Sequence, residues 1–192
     1  MSEDRSYKFF VWLAIAIGLV TIGSMTYGYF ANKAPGEIAY QAGNTYFNDQ
    51  RYKHAKSSYL EALQANPNFA PAYAGLANTM VQVKDYREAL RFIDEAIELD
   101  GKFGGYYASR GIIHDHMGQY EKAIADYEKA MLLTPDVSKG MGWIDRFFYK
   151  LPEAPPTVAD RLAYLKAQMK LPKDQRVLRL PEVDAQQKPY EQ

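Results

Sequence analysis

Displaced against itself by 34 residues, this chain repeats its pattern from about Gly36 to Pro135, and that period constrains its fold more than any other feature. Ala55, Ala89 and Ala123 coincide, as do Ala62, Ala96 and Ala130, with Tyr59, Ile93 and Tyr127 between them. Steps of four and three residues put each set on one face of a helix. Arg51-Tyr52, Asp85-Tyr86 and Gln119-Tyr120 open the second helix of each unit, and Asn66-Pro67, Asp100-Gly101 and Thr134-Pro135 close it. Alanine at a helix crossing lets two helices approach, and the larger neighbour fills the gap toward the next pair. One pair cannot bury its apolar face alone, so units stack, and about three make the smallest stable array. The expected fold is all-α, an α-solenoid of three helix pairs over 36–69, 70–103 and 104–137.

Gly43, Ala77 and Gly111 supply the small residue of each first helix, and with them the units resemble the tetratricopeptide repeat (TPR) family over roughly residues 36–135. The resemblance implies stacked helix pairs whose first helices line a concave, protein-binding face. Two positions depart from the family's pattern. Gly101 stands where the other units have Pro67 and Pro135, and Arg110 stands where an apolar residue is usual.

Ahead of the repeats, Phe9 to Phe30 carry no charge, with Arg5 and Lys8 before them and Lys33 after. At 1.5 Å per residue such a helix is roughly 33 Å long, enough for a hydrocarbon layer of about 30 Å. A cleaved signal peptide wants a shorter apolar core ending in a small-x-small site, where this chain has Tyr27, Tyr29, Phe30 and Asn32. Trp12, Tyr27 and Tyr29 fall at the levels of the headgroup belts. The expectation is a short tail over 1–8, a single transmembrane helix over 9–30 in contact with the lipid bilayer, and a linker over 31–35. Arg5 and Lys8 outweigh Lys33, which by the positive-inside rule keeps the N-terminus inside and sends the repeats out, into the periplasm for a bacterial inner membrane. Ala14, Gly18, Thr21 and Gly28 share one face, a stripe where a second membrane helix can pack, although Gly and Ala are common in membrane helices generally.

After the third unit the register is lost. Val137, Met141, Ile144 and Phe148 form a helical stripe over 136–150, and the prolines from Pro152 to Pro156 interrupt it. Thr157 with Asp160 reads as a capping box opening a second helix along Val158, Leu162, Leu165 and Met169. Capping helices are thus expected over 136–170. The polar, Pro-containing stretch over 171–192 is expected to extend as a tail that gains order only against a partner. Trp143, Phe147, Phe148 and Tyr149 are either core of the cap or an exposed docking patch.

Several chemistries are disfavoured. The 23 Lys and Arg balance 23 Asp and Glu, so the positive field of a non-specific nucleic-acid binder is missing. Without cysteine, disulfides, thiolate nucleophiles and Cys-ligated metals are excluded. Gly101 to Gly105 lacks the Gly-Lys-Ser/Thr ending of a phosphate loop. His114 and His116 flank Asp115, but residues two apart on a helix point to different sides and do not share an ion. No catalytic residue, metal or cofactor is expected, and the chain is not read as an enzyme.

By repeat position, the concave face presents Tyr40, Asn44, Phe47 and Asn48, then Ala74, Asn78, Val81 and Gln82, then Ala108, Ile112, Asp115 and His116. Asn44 and Asn78 are equivalent, and an Asn amide is both donor and acceptor, suited to gripping the backbone of a peptide. Both also have the bland reading of bonding within the domain. TPR proteins that clamp acidic C-terminal tails of chaperones carry Lys and Arg in the groove; here Tyr40, Gly75, Gly105 and Ser109 occupy those places, so a terminal-carboxylate clamp is not expected. The resulting expectation is a membrane-anchored scaffold for protein partners, themselves membrane proteins, acting as accessory subunit or assembly factor of a membrane complex. The alternative is a transient chaperone or adaptor in secretion or cytochrome maturation, as the resemblance allows.

Overall fold

The computed structural model describes residues 2–31, 33–138 and 157–179. Among them are eight α-helices and no strand: α1 (Ser2–Ala31), α2 (Glu37–Asn48), α3 (Tyr52–Ala65), α4 (Ala70–Gln82), α5 (Tyr86–Leu99), α6 (Gly104–His116), α7 (Tyr120–Leu133) and α8 (Val158–Met169). Short 3-10 turns occupy Pro135–Ser138 and Lys173–Gln175.

Within α1, Tyr7–Gly28 is long and apolar enough to cross a membrane, and none of that stretch is buried. Its two threonine hydroxyls are satisfied along the helix itself: Thr21 Oγ1 donates to the Gly18 carbonyl at 2.8 Å and Thr26 Oγ1 to the Ile22 carbonyl at 2.9 Å.

One turn, used three times, joins the two helices of each pair. Gln50 (φ 59°), Lys84 (φ 63°) and Gly118 (φ 73°), spaced at the repeat period, all adopt the left-handed conformation. The next residue then donates back across the helix end: Arg51 N to Tyr46 O at 2.8 Å, Asp85 N to Met80 O at 2.9 Å, Gln119 N to His114 O at 2.8 Å. These bonds satisfy carbonyls that a helix end otherwise leaves open. Only Gly118 takes this conformation without steric cost. Between units, Asn66, Asp100 and Thr134 each donate from the backbone to Ala62, Ala96 and Ala130 at 2.9 Å.

The six repeated alanines are all 0% exposed, so helix crossings fall where the period puts them. Tyr59 is clasped between α2 and α4: a Cβ on Gly43 would sit 2.5 Å from its ring and one on Gly75 2.6 Å. Real side-chain contacts do not come that close, so both positions need glycine for the ring to be buried. In the second unit Ala77 replaces that first glycine, and the smaller Ile93 replaces the ring. Arg110, the departure in the third unit, is matched by acids on both neighbours: it donates to Asp126 of α7 at 2.9 and 2.7 Å and to Asp94 of α5 at 2.9 Å.

Helix α8 opens with the expected capping box, Asp160 N donating to Thr157 Oγ1 at 3.1 Å and Thr157 N to Asp160 Oδ2 at 2.9 Å. The Thr157 N–H and hydroxyl hold the Asp160 carboxyl below its ordinary value. Leu162 and Leu165 pack with Ile112, Ala123 and Tyr127. Apart from the 3-10 turn, the helix expected over 136–150 lies outside the described residues, with Trp143, Phe147, Phe148 and Tyr149. One expectation changes. Residues 171–179 are ordered against the chain's own cap, because Arg176 donates to the carbonyls of Leu171 and Met169 at 2.9 and 3.1 Å and Val177 N to Gln168 Oε1 at 2.8 Å. Leu178 O accepts from Arg161 at 3.0 Å, and Arg179 reaches the His116 carbonyl at 3.2 Å.

Candidate partner-binding groove

The first helices of successive units lie side by side, and between them opens a cavity of about 260 Å³. Tyr40, Asn44, Phe47 and Asn48 of α2 form one wall, and Pro71, Ala74, Gly75 and Asn78 of α4 the other. Tyr59 reaches through from α3, and Phe103 and Tyr106 close the end toward the third unit. The walls are held by ring contacts: Tyr40 meets Phe69 edge-on at 5.2 Å and Tyr59 at 5.9 Å, and Phe103 meets Tyr106 edge-on at 4.9 Å. None of the described lining residues is charged.

The two equivalent asparagines differ. Asn44 Oδ1 accepts from the Tyr59 hydroxyl at 2.8 Å. Asn78 is 8% exposed, and its Oδ1 is buried with no hydrogen-bond partner. The repeat explains the contrast: the residue in register with Tyr59 is Ile93, which has no hydroxyl to give.

Six of the residues picked from repeat position therefore meet at one cavity: Tyr40, Asn44, Phe47, Asn48, Ala74 and Asn78. Others do not. Val81 is 8% exposed in the main core cluster, and Gln82 lies outside, its Oε1 accepting from Tyr52 at 3.5 Å. In the third unit two of the expected groove residues are buried by α8. Ile112 is buried with Leu162 and Leu165, and Asp115 accepts from Arg161 at 2.6 and 2.8 Å in a pair that is 5% and 3% exposed. His116 stacks on Tyr86 at 5.3 Å. Helix α8 packs chiefly on α7, and its leucines and Arg161 bury Ile112 and Asp115, which repeat position alone does not reveal. Repeat reasoning also missed Tyr59, a second-helix residue, and Phe103, although Phe103 lies one period after Phe69.

The remaining titratable residues near α6 are structural. Nδ1 of His114 lies 2.9 Å from Gln119 Oε1 and Nε2 lies 3.7 Å from Asp126. Burial holds the ring below its ordinary pKa, against the opposing pull of Asp126. Among the described residues, no three His, Asp or Glu side chains gather as a metal site requires. Among the described residues, nothing lies within 4 Å of a Cβ placed on Gly18 or Gly28 of the membrane-helix stripe.

Two family profiles, both described as Tetratricopeptide repeat, match residues 46–109 and 105–137. Hsp70-Hsp90 organizing protein 3 of Arabidopsis thaliana is 33% identical over 95 residues, 50% of this chain and 17% of that protein. Human serine/threonine-protein phosphatase 5 is 31% identical over 105 residues, 55% of this chain and 21% of that protein. The similarity spans about a fifth of each of these two relatives. Among solved structures, the first TPR of Spaghetti (RPAP3) bound to HSP90 peptide SRMEEVD superposes with a TM-score of 0.57 at 18% identity, covering 71% of this chain and 94% of that one. The second TPR of the same protein, bound to the same peptide, gives 0.50 at 28% identity, covering 54% and 95%. The chain is an all-helical solenoid that carries tetratricopeptide repeats across residues 46–137.

Proposed function

We propose that this chain is a membrane-anchored scaffold that holds a segment of a protein partner in the groove between its first helices, as accessory subunit or assembly factor of a membrane complex. The observation that carries the reading is the pairing, on one chain, of the uncovered apolar helix Tyr7–Gly28 with the open cavity between α2 and α4. An anchor raises the local concentration of a groove at the bilayer, so modest groove affinity is enough to retain a membrane partner. Arg5 and Lys8, at the N-terminal end of the apolar stretch, favour an inside N-terminus and periplasmic repeats in a bacterial inner membrane. The stripe of Ala14, Gly18, Thr21 and Gly28 then faces the partner's membrane helices. The reading assigns the chain no catalytic step and no cofactor.

The names of the relatives favour a second reading, a transient adaptor for chaperones. The uncharged lining of the cavity weighs against a carboxylate-binding version of it. Gentle detergent extraction of the tagged full chain from its native membrane, followed by size separation and identification of co-migrating chains, separates the two. Stoichiometric membrane proteins support the scaffold; a lone 21.9 kDa species supports the adaptor.

A further inference from the structure

The partner's chemistry can be narrowed, on the footing that the groove does bind a protein segment. We infer that the cavity takes an uncharged, internal stretch of polypeptide that inserts one large apolar or aromatic side chain and gives a backbone N–H to Asn78.

Three observations carry this. First, the size: about 260 Å³ lies below the roughly 300–1,000 Å³ of pockets that enclose drug-sized ligands, so it suits one side chain rather than a separate small molecule. Second, the lining: the rings of Tyr40, Phe47, Phe103 and Tyr106 and the ring of Pro71 stand among the amides of Asn44, Asn48 and Asn78, and none of the described lining residues is charged. A carboxylate entering here gives up water and meets no cation among the described lining residues, which is unfavourable. The segment therefore presents neither an acidic side chain nor a free C-terminus at this point. Third, Asn78: its Oδ1 is buried without a donor, because Ile93 stands where Tyr59 serves Asn44. An unpaired buried carbonyl costs free energy in the unbound protein and regains it when a donor arrives. Asn78 itself lines the cavity, so a partial rotation of its amide, short of the half-turn that would bury Nδ2 without an acceptor, presents Oδ1 to a bound segment. A backbone N–H next to the inserted side chain is the donor that every non-proline peptide supplies.

The test is fluorescence anisotropy on the full chain in detergent micelles, with short, labelled Gly/Ser/Ala peptides blocked at both ends. One carries a central Phe and its twin a central Asp; the third probe is the peptide SRMEEVD with its free carboxylate. The central-Phe peptide binds about tenfold or more tightly than either acidic probe. Asn78→Leu, which keeps the side chain's shape, weakens that binding about tenfold without lowering Tm, whereas a merely structural Asn78 would lower Tm when replaced. Equal or tighter binding of SRMEEVD overturns the inference and leaves groove binding intact. Binding of no peptide also overturns it; stoichiometric partners after extraction then still uphold the scaffold, and their absence removes that as well.

Discussion

The Tyr59 hydroxyl donates to Asn44 Oδ1 at 2.8 Å, and one period later the same geometry fails because Ile93 stands in place of the tyrosine. Two asparagines in equivalent positions thus have opposite energetic roles. Asn44 completes a hydrogen bond within the fold, and Asn78 carries an acceptor that the fold leaves open.

Leucine substitution separates them. Asn44→Leu deprives the Tyr59 hydroxyl of its acceptor and is expected to cost about 1–2 kcal/mol, while Asn78→Leu removes an unpaired carbonyl and is expected to be neutral or stabilising by about 1 kcal/mol. Urea unfolding of both variants checks the sign of the difference.

The clasp on Tyr59 predicts a compensating pair. Gly75→Ala puts a methyl 2.6 Å from the ring and should cost roughly 1–3 kcal/mol through overpacking. Tyr59→Leu in the same chain frees the space and should recover part of that loss. Additive losses in a double-mutant cycle would show that the ring and the glycine are not coupled.

Lys84 holds the left-handed turn position that Gly118 fills in the third unit. Lys84→Gly is expected to raise stability by about 0.5–1 kcal/mol, relief of steric cost exceeding the added backbone entropy. Thermal melts of this variant and of Gln50→Gly should move together, since the two turns are copies.

The Asp115–Arg161 pair ties α8 to α6 at 2.6 Å with both side chains nearly fully buried. Asp115→Ala strands a buried guanidinium and should cost about 3–5 kcal/mol, whereas Asp115→Leu with Arg161→Met should cost much less. Limited proteolysis at α8, followed alongside urea unfolding, reports whether the cap is released first.

The period made the helix pairs, the buried alanines and the turn sites legible, because each recurs at a fixed offset and stacking forces them inward. Thr157 with Asp160 announced the start of α8 for an equally local reason. What α8 covers was not legible: Ile112 and Asp115 look like groove residues in the repeat, and only a contact 46 positions along the chain, Arg161 to Asp115, shows otherwise. Tyr59 was missed at the cavity because its helix faces the other way, and it gets there only through the gap that Gly43 and Gly75 leave. The order of residues 171–179 rests on arginine bonds to backbone carbonyls, which composition does not encode.

The central claim, that the face between α2 and α4 holds a partner's segment at the membrane, is tested most directly by photo-cross-linking in native membranes. A photoreactive residue at Ala74, inside the cavity, is compared with one at Leu132, which is 81% exposed on α7. The account predicts a discrete adduct with one membrane-associated chain from Ala74 and none from Leu132. An adduct from Leu132 with none from Ala74 would contradict it, placing the partner on the opposite side of the solenoid.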